Sequence, residues 1–223
     1  MNALATPTAA AGPVRPVDRR ALYEVLALLA ITLGGQLLGP QVRGIVAILP
    51  ILYFLIERRA RHRSWAECGL DPRAIPRGLS GSWGLMLAVA VGIPLAVTWL
   101  SRMFWPAYAA QVLGRIPFDL SHPARFVPLI LVATFLEEVS FRALFQQRLA
   151  WFVPLPAAIG VVAVAFGLVH VSRGDPSVVA TDVALVVLDG VIYGVIFARS
   201  RSVFVAWIAH AAADLVALAL LKL

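Results

Sequence analysis

The chain has 223 residues, of which 61% are apolar and 14% charged, with a mean hydropathy of +0.86. A water-soluble domain carries about 45–50% apolar and about 25% charged residues, so this chain has too few charges to coat a soluble surface and reads as a polytopic membrane protein. Its net charge of +7 comes from arginine in all but Lys222 of the 19 basic residues. These bases sit in short clusters between apolar runs, a pattern that faces anionic headgroups and argues against a nucleic-acid partner.

Residues 1–20 are rich in Ala, Pro and Thr and are expected to form a disordered cytoplasmic tail ahead of a membrane-embedded domain at 21–223. No small-residue cleavage site follows the first apolar run, so no removable signal peptide is read. A membrane-spanning helix needs about 20 apolar residues. Seven segments qualify, at 21–39, 42–56, 79–100, 124–150, 153–172, 178–198 and 203–221. The fold class is therefore an all-α integral membrane bundle of about seven spans, within a range of six to eight. The second segment is short and holds Pro50, and Gly39-Pro40 supplies a turn between it and the first. Segment 101–123, with Phe104, Trp105, Tyr108 and Phe118 beside Pro106 and Pro117, reads as an interfacial or re-entrant piece. With the N-terminus inside, the inner segments hold twelve bases, including Arg15, Arg58, Arg59, Arg61 and Arg63. The outer segments hold six, including Arg43, Arg115 and Lys222. That asymmetry predicts a cytoplasmic N-terminus, and the expected location is a bacterial cytoplasmic membrane. A single cysteine, Cys68, excludes an intramolecular disulfide, and no Cys/His spacing resembles a zinc ligand set.

A charge at the centre of a membrane helix costs about 2.5–3.5 kcal/mol on insertion scales, so each one inside an apolar run is a functional candidate. Three clusters stand out: Glu137-Glu138 with Arg142, Phe166 with His170, and His210 with Asp214. Glu138 and Arg142 are i,i+4 and can pair, whereas Glu137 lies about 100° further round the helix and points elsewhere. His210 and Asp214 are also i,i+4, which lets Asp214 accept from a ring nitrogen and fix its tautomer. Glu138 lies about 18 Å before the end of its helix, and His170 about 24 Å into the next, so the two reach similar depth. A single buried polar cluster drawn from three helices is geometrically possible. Asp182 is expected near a helix end, Asp189 as a packing or network residue, and Phe166 as a core or pocket-shaping aromatic.

In that order and on separate helices, Glu137-Glu138-x-x-x-Arg142, Phe166-x-x-x-His170 and His210-x-x-x-Asp214 resemble the CPBP family of glutamate-type intramembrane proteases. That family includes CAAX-prenyl endopeptidases and bacterial Abi-like proteins, and the resemblance covers residues 123–221. It implies an intramembrane endopeptidase in which Glu137 and His170 activate water while His210 and Asp214 hold the oxyanion. Glu138 and Arg142 would support the site, and Phe166 would contact substrate. Many relatives carry Asn where this chain has Asp214; an ionised Asp cannot donate to an oxyanion, so Asp214 would orient His210 or remain protonated. The implied substrate is a membrane-associated protein or peptide with a CaaX-like end or a C-terminal sorting signal. No cofactor is expected, and the sequence is silent on oligomeric state. Two alternatives accompany this reading: a zinc-dependent intramembrane protease with Glu137, His170 and His210 as ligands, and a non-catalytic immunity or partner protein of the same fold.

Overall fold

The computed structural model describes residues 19–38, 40–114 and 122–222. Residues 1–18 of the expected tail, Gly39 of the expected turn, and Arg115, Pro117 and Phe118 lie outside the described residues. Among the described residues helix is the only regular secondary structure. Helix α1 covers Arg19–Gly34 and ends in a tighter turn, Gly35–Leu37. Helix α2 is Pro40–Ala60, α3 is Pro72–Phe104, and α4 is the short Pro106–Gly114. Helix α5 runs over 123–149, α6 is Leu155–Val169, α7 is Pro176–Ser200 and α8 is Val203–Lys222. Five of these, α2, α3, α4, α5 and α7, begin on a proline. The first turn of a helix has no use for the missing N–H, and the fixed φ of proline is already helical.

Four stretches are long and apolar enough to cross a membrane: Arg19–Leu37, Pro72–Phe104, Pro176–Ser200 and Val203–Leu220. Each of the seven predicted segments has a helix at its core, with ends that differ by a few residues, and the piece expected between the third and fourth contributes the eighth helix, α4. The sequence places His170 inside a helix over 153–172, but α6 stops at Val169 and leaves His170 at its C-terminal cap. Asp182 lies in the second turn of α7 and is only 5% exposed.

Two helices widen locally into π geometry. In α3 the wide turn spans Ala88–Gly92, next to Pro94, whose ring cannot fit a regular α turn. In α5 it spans Val139–Gln146 and begins immediately after Glu138.

Helices α6 and α7 approach closely because small residues face each other. A Cβ on Gly190 would lie 3.1 Å from the Cα of Ala163, and one on Gly194 would lie 2.9 Å from Ile159. Membrane helices have no hydrophobic drive to associate within lipid, so such close backbone packing supplies the contact energy. Helices α5 and α8 meet through Phe135, which stacks on Phe204 at 6.0 Å and meets Trp207 edge-on at 5.5 Å. The indole N–H of Trp207 donates to the Leu131 carbonyl at 2.9 Å, tying α8 back to α5. Outward-facing Ile48, Trp83, Leu87 and Trp99 are each more than half exposed, as suits a surface solvated by lipid.

At the end of α2, Glu57 is buried and pairs with Arg148 and, at 2.9 Å, with Arg61. The sequence read this stretch only as a basic cluster. The following loop turns at Gly69, whose φ of +79° favours glycine, and its carbonyl accepts from the Val203 N–H at the start of α8. Burial beneath this loop pushes the Cys68 thiol up.

Candidate active site

The site begins where α5 changes geometry. Glu138 is wholly buried, whereas Glu137, the next residue back, keeps 35% of its side chain exposed to a cavity. One carboxylate oxygen of Glu138 accepts from Arg142 Nε at 3.1 Å, and the other accepts from His210 Nδ1 at 3.0 Å. Arg142 is also wholly buried. Its guanidinium lies 5.4 Å over the Phe166 ring and 6.0 Å from Tyr193, and its two terminal nitrogens have no hydrogen-bond partner among the described residues. Aromatic faces therefore substitute in part for missing acceptors around a buried cation.

His210 is 5% exposed and held on three sides. The Tyr193 ring stacks on it at 4.6 Å, and Phe166 meets it edge-on at 5.6 Å. With Nδ1–H committed to Glu138, only Nε2 faces the interior of the site. Glu137 Oε2 stands 3.7 Å from Nε2, and Asp214 Oδ2 stands 3.9 Å from it. Both distances exceed a hydrogen bond. The sequence expected Asp214 to fix this ring through its i,i+4 spacing; Glu138, on another helix, makes that bond instead.

His170 takes its orientation from the end of α6. Its Nδ1 lies 2.7 Å from the Phe166 carbonyl, one of the carbonyls that a helix terminus leaves free. A carbonyl only accepts, so Nδ1 carries the hydrogen and Nε2 of the neutral ring presents a lone pair. Glu137 and His170 line one cavity of about 340 Å³, walled by Thr32 and Gln36 of α1, Pro50 of α2 and Phe141 of α5. Phe166, expected as a substrate contact, is 2% exposed and wedged between His170, His210 and Phe141. It is a spacer for the two imidazoles. Asp214 faces away from that cavity and lines a second one of about 220 Å³ together with Asp182 and Asp189.

The structure thus gathers Glu137, Glu138, Arg142, His210 and Asp214 through contacts of at most 3.9 Å and brings His170 into the Glu137 cavity. Sequence reasoning missed Tyr193, although it lies one turn beyond Asp189 and shares its face of α7. It also missed Thr32 and Gln36, polar positions in an apolar run that supply the far wall. No three His, Cys, Asp or Glu side chains among the described residues form a ligand set for one metal ion.

Residues 119–216 match the family model described as Rce1-like, type II CAAX prenyl endopeptidase. The matched segment contains every ionisable residue of the cluster. Comparisons with curated proteins and with solved structures return no match. Over residues 119–216, therefore, the chain is similar to the Rce1-like type II CAAX prenyl endopeptidases.

Proposed function

We propose that this protein is a glutamate-type intramembrane endopeptidase that hydrolyses a peptide bond near a CaaX-like or sorting-signal-type C-terminus of a membrane-associated substrate. The family match over residues 119–216 supports peptidase activity in general. The observation that carries the finer reading is the sharing of one cavity by the Glu137 carboxylate and His170, with His210 Nε2 3.7 Å from that carboxylate.

Hydrolysis of an amide needs a base for water, donors for the tetrahedral oxyanion and a proton for the leaving amine. Glu137, in its cavity, takes a proton from a water that His170 Nε2 helps to hold. The hydroxide oxygen bonds to the scissile carbonyl carbon, and the carbonyl electron pair moves onto oxygen. His210 can meet that oxyanion only through Nε2–H, because its Nδ1–H is held by Glu138. Two protons on one ring require the imidazolium, so the donor carries a full charge and makes a stronger bond. The C–N bond then breaks as Glu137 returns its proton to the amine. Arg142 keeps Glu138 ionised so that Glu138 can orient His210, and Phe166 with Tyr193 fixes the plane of the ring.

Replacing Glu137 by Gln removes the base and leaves side-chain volume intact. Positioned acid–base groups contribute about 10²- to 10⁴-fold, so turnover falls by at least about 10²-fold while the detergent-solubilised melting temperature stays put. Unimpaired cleavage of a lipid-anchored peptide by Glu137→Gln would refute the assignment.

A further inference from the structure

His210 Nε2 lies at a partition between two cavities. Glu137, 3.7 Å away, lines the first, and Asp214, 3.9 Å away, lines the second; no lining residue is common to both. In the mechanism above the peptide fills the first cavity. That leaves His210, which must carry two ring protons to serve the oxyanion, cut off from water on that side.

The second cavity supplies another approach. Its volume of about 220 Å³ is room for several waters. Thr98 and Ser101 face it from α3, Tyr108 from α4, Asp182 and Asp189 from α7, and Asp214 from α8. Asp182 and Asp189 are seven residues apart, which stacks them on one helix face about 10 Å apart along the axis. The Tyr108 hydroxyl donates to Asp182 at 3.4 Å. Asp189 Oδ1 is buried with no hydrogen-bond partner among the described residues, so it needs a donor that a water in this cavity can supply. Asp214 sits in the middle of α8, yet 45% of its side chain is exposed, so the cavity is open there.

We propose that the second cavity is a hydrated route along which protons reach His210 Nε2 from the bundle surface, with Asp214 as the last relay and Asp189 and Asp182 before it. A proton passes along the waters and carboxylates, each oxygen taking one and releasing one, and ends on Nε2; the carboxylates return to the charge they began with, and the imidazolium carries the added one. This rests on the reading of His210 as the oxyanion donor. The three aspartates do not touch substrate. Besides them, the titratable groups facing His210 are Glu137 and Glu138 of α5 and Tyr193 of α7.

Two measurements test the route in lipid nanodiscs. The first is modification of Ser101→Cys by a charged, membrane-impermeant methanethiosulfonate, with the native Cys68, wholly buried, as internal reference. A water-filled cavity gives a rate at least about tenfold above that of Cys68, because only the thiolate in water reacts. A rate equal to that of Cys68 overturns the proposal. The second is the pH profile of kcat for Asp189→Asn, using a lipid-anchored peptide. Loss of the relay moves the alkaline limb about one pH unit lower, which is about tenfold less turnover at pH 8, with KM and melting temperature unchanged. A reactive Ser101→Cys with an unmoved Asp189→Asn profile means a wet cavity off the reaction path, and it also overturns the proposal. If Glu137→Gln stays active while both measurements come out as expected, the base assignment has failed and the hydrated route stands.

Discussion

Replacing Glu138 by Gln separates the two duties assigned to that residue. Glu138 and Arg142 are both wholly buried, and the pair is completed by His210 Nδ1 at 3.0 Å. An amide keeps one accepting oxygen but turns an N–H₂ toward either Arg142 or His210, where both partners are donors. Arg142, whose two terminal nitrogens already have no hydrogen-bond partner among the described residues, then becomes an uncompensated buried charge. Breaking such a pair costs about 3–5 kcal/mol, which for a chain of this size lowers the melting temperature by roughly 6–20 °C. Turnover falls separately, because the His210 tautomer is no longer fixed; the equivalent loss in a Ser-His-Asp triad is about 10⁴-fold. The informative control is Glu138→Gln combined with Arg142→Met. Removing the stranded cation restores most of the melting temperature, whereas cleavage stays lost. Melts in detergent and single-turnover cleavage give both readouts. Wild-type cleavage by either variant, or a double variant no more stable than Glu138→Gln alone, would show that the buried pair does not carry His210.

Placing a methyl group at Gly190 tests the closeness of α6 and α7: Gly190→Ala meets the Ala163 backbone at 3.1 Å and should cost about 1–3 kcal/mol in a denaturation assay. Asp175 caps α7, accepting from the Ser177 hydroxyl and from the N–H groups of Ser177 and Val178; the Ser177 hydroxyl is the main reason its carboxyl titrates below the ordinary range. A carboxyl lowered by folding stabilises above its unfolded value, near 3.9, and that contribution is lost as pH falls through the lower folded value. Asp175→Ala should therefore lower the melting temperature at pH 7, and its deficit against the parent should shrink once the pH is below both values. Exhaustive chelation is expected to leave cleavage intact if Glu137 acts on unbound water. Loss of activity restored by zinc would favour the metal-dependent reading instead.

Composition and the length of apolar runs were enough to read the all-helical membrane bundle, because spanning a bilayer forces one solution on the backbone. The ionisable cluster was legible for a related reason: each of its members is too costly in lipid to be incidental. Partnership was the part that local spacing misassigned. The i,i+4 rule pairs His210 with Asp214, and nothing in one helix's sequence reveals that Glu138, from another helix, occupies the ring nitrogen first. The end of α6 was missed because Val169, His170 and Val171 continue the apolar pattern. Only the tertiary arrangement shows that the helix stops there and lends the Phe166 carbonyl to His170. The second cavity likewise needs α3, α4, α7 and α8 together, and no single helix carries its signature.

The wide turns over Val139–Gln146 make the chain's arithmetic unforgiving. Deleting one residue between Glu138 and Arg142 takes a step of about 100° out of the helix between the two partners. Glu137 and Glu138 would revolve away while Arg142 and Gln146 stayed in place. The number of residues between Glu138 and Arg142 is as much a determinant of the site as their identity.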